Sequence, residues 1–116
     1  MNEPERTIEL RERTGDTIRA TARFGPRYIG FQGHFSGEPI LPGFAQVQLV
    51  VDVLQMALGQ ALTLREVVAA KFSSAIGPGD AVGVEITRKG EGVYACVLMV
   101  GGGLASALEL GVEASG

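Results

Sequence analysis

The chain has 116 residues, of which 46% are hydrophobic and 20% charged, enough apolar material for one domain with a core and too much for general disorder. Lysine and arginine number 10 against 13 acidic residues, so the net charge is −3 and the basic footprint of a nucleic-acid binder is missing. One cysteine and one histidine exclude an intramolecular disulfide framework and metal sites built from several thiolates or histidines. We therefore predict a single domain over residues 1–116 that binds no nucleic acid.

The charge distribution also predicts a location. The first residues are too charged for a signal peptide. The least charged stretch, residues 39–64, is interrupted by Pro42, four glutamines and two glycines, which is unfavourable for a membrane span. We expect a cytoplasmic protein without a membrane segment.

Hydrophobic alternation predicts strands on both sides of one helix. Residues 7–13 and 17–24 alternate apolar and polar side chains around a turn at Gly15 and Asp16. Glycine-rich turns separate four more predicted strands, at residues 67–72, 82–88, 93–100 and 104–112. The order ββ–loop–α–ββββ indicates an α+β fold, with one helix against a mainly antiparallel sheet.

The helix is predicted between Pro42 and Gly59, because proline favours the first turn of a helix and glycine the residue after its last turn. Residues 43–58 are apolar on almost every side, as in a helix buried in a core. Spacings of four and three residues place three polar side chains on one stripe, namely Gln48, Asp52 and Gln55.

The loop before the helix, residues 25–42, is punctuated by glycine and proline and contains His34. Long ordered loops in small domains are often functional. By composition alone, His34 is either a structural or exposed side chain, or a group that transfers protons near neutral pH.

Two residues of the helix are further candidates. The N–H of Gly43 has no intrahelical partner, so Gly43 either binds a carbonyl oxygen or oxyanion there or only relieves crowding. A carboxylate at Asp52 on a buried helix must be paired, protonated or functional; its structural alternatives are a helix edge facing water or an ion pair with a later residue such as Lys71. Cys96 and Met56 are predicted to be core residues.

Residues 33–43, which read GHFSGEPILPG, resemble the signature of the 3-hydroxyacyl-acyl-carrier-protein dehydratases, G-H-F-P-G-x-P followed by two hydrophobic residues and P-G. Ser36 alone departs from this pattern. Lys71-Phe72 and Pro78-Gly79-Asp80 are similar to further motifs of the family, so the resemblance spans most of residues 7–112. It implies the hot-dog fold, a long central helix wrapped by a curved antiparallel sheet, with two copies paired and the acyl tunnels at their interface.

The resemblance also implies a lyase that dehydrates (3R)-hydroxyacyl thioesters. His34 would remove the α-proton, and the Gly43 N–H would hold the thioester carbonyl and stabilise the enolate-like charge. A carboxylate from the second copy's helix, fourteen residues after the histidine, would assist departure of the 3-hydroxyl. Phe44 and Leu54 are candidates for substrate-tunnel side chains that set the preferred chain length.

The position fourteen residues after His34 holds Gln48, whose amide can orient a hydroxyl but cannot supply a titrating proton. Asp52 stands one helical turn further on, about 5–6 Å along the axis, where the family usually has glutamine. Three hypotheses are compatible with this exchange. In the first, Asp52 reaches the tunnel from its displaced position; in the second, His34 returns the proton to the leaving hydroxyl and Gln48 only positions that hydroxyl. In the third, the site binds acyl thioesters without dehydrating them, as a thioesterase or as the non-catalytic subunit of a heterodimer.

The implied partners are an acyl thioester on acyl carrier protein or coenzyme A, and further copies of the chain in a homodimer or higher homo-oligomer. No organic cofactor or metal is implied. An acidic carrier protein needs local positive charge at the tunnel mouth, for which there are four candidates: Arg65, Lys71, Arg88 and Lys89.

Overall fold

The computed structural model describes residues 5–28 and 40–116, which form one helix and a six-stranded sheet. The elements are β1 (Arg6–Thr14), β2 (Thr17–Phe24), α1 (Gly43–Leu58), β3 (Leu62–Phe72), β4 (Val82–Gly90), β5 (Val93–Val100) and β6 (Gly103–Ala114). The strand order is β1-β2-β4-β5-β6-β3, and every neighbouring pair is antiparallel. The predicted α+β class is confirmed.

The helix begins and ends where the sequence predicts. Pro42 precedes it in an extended conformation, with φ −72° and ψ 162°. Gly59 follows it in the left-handed region at φ 66°, and its N–H donates to the Gln55 carbonyl oxygen at 2.9 Å. A left-handed residue that caps the last turn in this way is sterically suited to glycine.

The core lies between α1 and one face of the sheet. Along β2, the alternate residues Ile18, Ala20, Ala22 and Phe24 are all buried, as their period of two predicts. Buried side chains of β4, β5 and β6 continue this apolar face. The prediction that Cys96 lies in the core is confirmed.

The prediction that Met56 lies in the core is wrong, because 48% of this residue is exposed. The sheet covers α1 on one side only, so a stripe of the helix faces outward. Phe44, at 73% exposure, and Gln48 lie on the exposed surface of the same helix. The apolar sequence therefore predicted more burial of this helix than residues 5–28 and 40–116 of one chain provide.

The third strand begins at Leu62, five residues before the predicted start. Arg65 and Glu66 interrupt the apolar pattern there, but two irregularities of register allow the strand to follow β6 over its whole length. β3 forms one edge of the sheet, and all its residues after Leu62 are exposed. Its exposed large apolar side chains are Leu64, Val67, Val68 and Phe72.

Candidate functional site

The start of α1 borders a hollow of about 370 Å³, lined by residues 40–43, Gln46 and residues 72–75. Gly43 lies in its wall, and the ring of Phe72 packs directly against this glycine. A Cβ added to Gly43 would lie 2.9 Å from Cζ of Phe72. The fold therefore places the Gly43 N–H, the candidate group for binding a carbonyl oxygen, beside an aromatic side chain at the end of β3. His34 lies outside the described residues.

A buried hydrogen-bond network holds the segment that leads into the helix. Gln46 is only 4% exposed, and its Nε2 donates to the Leu41 carbonyl oxygen at 3.1 Å. Ser106, a fully buried residue of β6, donates from its hydroxyl to Gln46 Oε1 at 2.7 Å. The Leu41 N–H donates to the Ile76 carbonyl oxygen at 2.7 Å. Leu41 is thus held through both of its backbone polar groups.

The predicted polar stripe of α1 is a connected cluster centred on Asp52. Gln48 Nε2 and Gln55 Nε2 both donate to Asp52 Oδ1, at 2.8 and 3.1 Å. Arg6 of β1 forms an ion pair with Asp52 Oδ2 at 2.7 Å, and the two side chains are 26% and 20% exposed. Gln55 Oε1 accepts from the Leu62 N–H at 2.9 Å.

Asp52 is therefore paired, which is one of the alternatives that the sequence leaves open. Its partner is Arg6, and the suggestion of Lys71 is wrong, because Lys71 lies on β3 and lines a hollow on another part of the sheet. The contacts also define the orientation of the Gln48 amide. The Asp52 carboxylate pairs with a guanidinium through Oδ2, so the group of Gln48 that faces its accepting Oδ1 is the NH₂. The Gln48 Oε1 then points away from Asp52.

The two tunnel candidates lie in different environments. Phe44 is the most exposed large apolar residue described, at 73%, whereas Leu54 is fully buried in the core of this chain. Phe44 is thus available to contact a ligand or a second copy. Leu54 contacts neither unless the core opens.

Cys96 has no place in the site chemistry. It is 2% exposed, and burial raises the pKa of its thiol from 9.0 to about 12. A thiol held in this protonated form is a poor nucleophile.

Sequence reasoning overlooked Arg6, Gln46 and Ser106. Arg6 and Ser106 come from strands that are distant in sequence from the helix, so only the three-dimensional fold brings them to it. Gln46 carried a weak signal, because it is a glutamine on an otherwise apolar helix face and lies off the stripe of Gln48 and Asp52.

Within the described residues, we find no helix that is both long and apolar enough to cross a bilayer.

The chain is similar to known proteins in sequence and in fold. A family model described as ApeI-like (ApeI dehydratase) matches residues 10–98. A 3-hydroxyacyl-[acyl-carrier-protein] dehydratase FabZ from Lactiplantibacillus plantarum is 26% identical over 98 residues, which cover 75% of this chain and 67% of that protein.

Two solved structures illustrate the fold. The dehydratase heterocomplex ApeI:P from Xenorhabdus doucetiae has a TM-score of 0.77 at 20% identity and covers 90% of this chain and 93% of that one. A hypothetical thioesterase with coenzyme A from Streptococcus pneumoniae TIGR4 has a TM-score of 0.69 at 11% identity and covers 95% and 90%. The structural likeness confirms the hot-dog fold, and the family match covers well over half of the sequence. The chain belongs to the ApeI-like dehydratase family.

Proposed function

We propose that this protein dehydrates 3-hydroxyacyl thioesters, with His34 as the base and the Gly43 N–H as the group that binds the thioester carbonyl. The observation that carries the proposal is the GHFSGEPILPG segment leading into a helix that starts at Gly43, beside a hollow large enough for an acyl thioester group. The helix dipole and the free N–H groups of the first turn favour the negative charge that develops on the carbonyl oxygen.

The reaction needs two proton movements. His34 removes the α-proton, the electron pair of that C–H bond forms the enolate, and the Gly43 N–H stabilises the oxygen. The enolate then expels the 3-hydroxyl, which takes the proton from the histidinium and leaves as water. The histidine ends neutral, so the steps balance without a second acid.

Gln48 positions the 3-hydroxyl in this proposal. Its Nε2 donates to Asp52, so its exposed Oε1 is free to accept a hydrogen bond from a substrate hydroxyl. In a paired arrangement, this amide is contributed by the second copy. Asp52 then has a positioning role, because Arg6, Gln48 and Gln55 already occupy both of its oxygens.

The first test is hydration of a trans-2-enoyl thioester, the reverse reaction, followed through loss of the conjugated absorbance. We expect turnover by the wild type and a loss of about 10²-fold or more in His34→Ala, the scale of general acid–base catalysis. A wild type that is silent at several chain lengths, on both carrier-protein and coenzyme A thioesters, overturns the proposal.

A double substitution tests the assignment of Gln48. Gln48→Glu with Asp52→Gln restores an acid at the position where the family usually has one and keeps an amide–carboxylate pair on the helix. If Gln48 faces the substrate, the added acid raises kcat by about tenfold or more. A folded double variant with wild-type kcat would show that Gln48 is not at the reacting hydroxyl.

Hydrolysis is the second candidate activity. The similarity in fold to a hypothetical thioesterase favours testing it, and Gln48 Oε1 can position a water as well as a hydroxyl. Release of free thiol from a saturated acyl thioester, without hydration of the enoyl thioester, would identify a thioesterase. Acyl binding without either reaction, and turnover only with an acid-bearing second protein, would identify the non-catalytic subunit of a heterodimer, as the structural likeness to a heterocomplex suggests.

We place the second copy at the free edge of β3. This edge strand exposes Leu64, Val67, Val68 and Phe72, and strands of two identical copies related by a two-fold axis can pair there antiparallel. Val68→Lys should give a monomer in light scattering at a concentration where the wild type is dimeric. Leu10→Lys on the opposite edge strand is the matched control, since Leu10 is also exposed, at 41%. Equal behaviour of the two variants contradicts this placement.

The carrier-protein candidates separate into two pairs. Arg65 and Arg88 line a hollow of about 500 Å³, and Lys71 and Lys89 line another of about 480 Å³. Lys71 lies on the edge strand β3, at which we place the second copy, so we propose it as the first carrier contact. Lys71→Glu should weaken carrier-protein binding more than Lys89→Glu, measured by titration at fixed ionic strength.

A further inference from the structure

Gln46 is a polar residue enclosed in an otherwise apolar part of the core. Its amide has a defined orientation, because a backbone carbonyl only accepts hydrogen bonds. The NH₂ must therefore face the Leu41 oxygen, which leaves Oε1 for the Ser106 hydroxyl. Both polar atoms of the Gln46 amide, Nε2 and Oε1, thus form hydrogen bonds, and Ser106 is fully buried.

This network ends at the backbone that enters the site. Leu41 lies two residues before Gly43, its side chain is 1% exposed, and its N–H is held by the Ile76 carbonyl oxygen. Gln46 holds the carbonyl of the same residue. The peptide that joins Leu41 to Pro42 is thereby kept in one place relative to the sheet.

The same stretch of β6 also holds the opposite wall of the hollow. The carbonyl oxygen of Ala105 accepts the N–H groups of Ser73 and Ser74, at 2.8 and 3.0 Å. These two residues directly follow Phe72, whose ring packs on Gly43. Residues 105 and 106 thus connect the helix start on one side of the hollow to the end of β3 on the other.

Packing alone does not require a glutamine at position 46. An apolar side chain of similar length would fill the space without a desolvation cost, and the net contribution of a satisfied buried hydrogen bond to stability is modest. What the network provides is a single arrangement, since a shift of the helix start relative to β6 breaks the bond between Ser106 and Gln46 and leaves both buried groups without a partner. A reaction that depends on the placement of one N–H benefits from this constraint, because small misplacements reduce rates strongly.

We infer that Gln46 and Ser106 are positioning residues, which hold the start of α1 so that the Gly43 N–H meets the thioester carbonyl. The inference rests on the proposed function. Ser106 does not line the hollow, and the amide of Gln46, which borders it, is bonded through both polar atoms to the protein. Each residue therefore acts through Leu41 and the helix start.

The test compares two variants with a matched core variant. Ser106→Ala and Gln46→Met remove the network while keeping the space largely filled. Ile86→Val, at a fully buried position of β4, loses one methylene, and Ile86 does not line the hollow. We expect kcat for enoyl-thioester hydration to fall about ten- to a hundredfold in Ser106→Ala and Gln46→Met, with KM changed by less than about threefold. Ser106→Cys, which keeps a weak donor, should recover part of the loss, and Ile86→Val should keep the wild-type kcat.

A second measurement does not need turnover. Hydrogen exchange of the Leu41 amide, normalised to the global stability of each variant, should be faster in Ser106→Ala than in Ile86→Val. If the decrease in kcat of each variant is accounted for by its decrease in the free energy of unfolding, with Ile86→Val on the same trend, the positioning role is refuted. If the wild type has no activity, the proposed function fails, and exchange alone decides whether the network anchors Leu41: unchanged exchange refutes the anchor, and faster exchange supports it.

Discussion

The ion pair between Arg6 and Asp52 provides a quantitative test of the candidate site. It joins the first strand to the middle of the helix at 2.7 Å, and both side chains are about one-quarter exposed or less. In Asp52→Asn, the new NH₂ must face either the Arg6 guanidinium or the amide NH₂ groups of Gln48 and Gln55, all of which are donors. We expect a loss of about 2 kcal/mol in the free energy of unfolding, since a hydrogen bond to a charged group contributes roughly 1.5–3 kcal/mol.

A double-mutant cycle separates the pair from the other contacts of the aspartate. Arg6→Met keeps the aliphatic stem and removes the charge. The pair is partly exposed, so we expect a coupling free energy of about 1 kcal/mol, near the upper limit for surface pairs. Arg13 provides the matched control: it also lies on β1 and reaches the helix, but its Nη1 donates to the Ala57 carbonyl oxygen at 2.7 Å. Arg13→Met and Asp52→Asn should therefore be additive.

Urea unfolding of the four variants of each cycle, at one fixed protein concentration, gives these free energies. A repeat at a tenfold lower concentration identifies any contribution from association. Additivity at separate sites holds to about 0.3–0.5 kcal/mol, so a coupling of 1 kcal/mol is measurable. A coupling below about 0.3 kcal/mol for Arg6 and Asp52 would refute the reasoning that Arg6 holds the carboxylate. Asp52 would then be free to act on substrate, and its catalytic reading would regain support.

Two further predictions concern the helix start and the buried thiol. Gly43→Ala brings a Cβ to 2.9 Å from the Phe72 ring, which offsets the gain of about 0.5–1 kcal/mol from replacing a helical glycine. In a Phe72→Ala background the same substitution should be stabilising by about that amount in urea unfolding; an identical effect in both backgrounds contradicts the contact. Cys96, with its thiol pKa raised to about 12 by burial, should not react with a disulfide reagent at pH 8 until urea is added. Rapid stoichiometric labelling of the folded protein would contradict its burial.

The helix and most strands follow from local patterns in the sequence. Pro42 and Gly59 fix the ends of α1, and alternation along β2 identifies the buried face, because each signal depends only on neighbouring residues. The start of β3 does not follow in this way. Its ladder with β6 contains two irregularities, which depend on a strand about forty residues away.

The candidate site, too, is predictable only where its contacts are local in sequence. The stripe of Gln48, Asp52 and Gln55 is predictable from helical spacing, and the structure shows these side chains bonded to one another. The partner of Asp52 is not predictable, since Arg6 approaches through the pairing of β1 with the rest of the sheet. The role of His34 stays a prediction, because the residue lies outside the described part of the chain.

The two edges of the sheet differ in a way that bears on assembly. β1 is one edge, and charged residues occupy most of its exposed positions; this discourages pairing with another chain. The strand is also fastened to the helix, through Arg6 in the middle of α1 and Arg13 near its end. β3 is the opposite edge, an eleven-residue strand that pairs with β6 on one side and has no strand among the described residues on the other, and it carries exposed apolar side chains. In a monomer, an exposed edge strand of that length and composition favours pairing with other chains and aggregation. Since Phe72 at its end packs on Gly43, covering this edge with a second copy would also enclose the candidate site, so assembly and site formation should depend on each other.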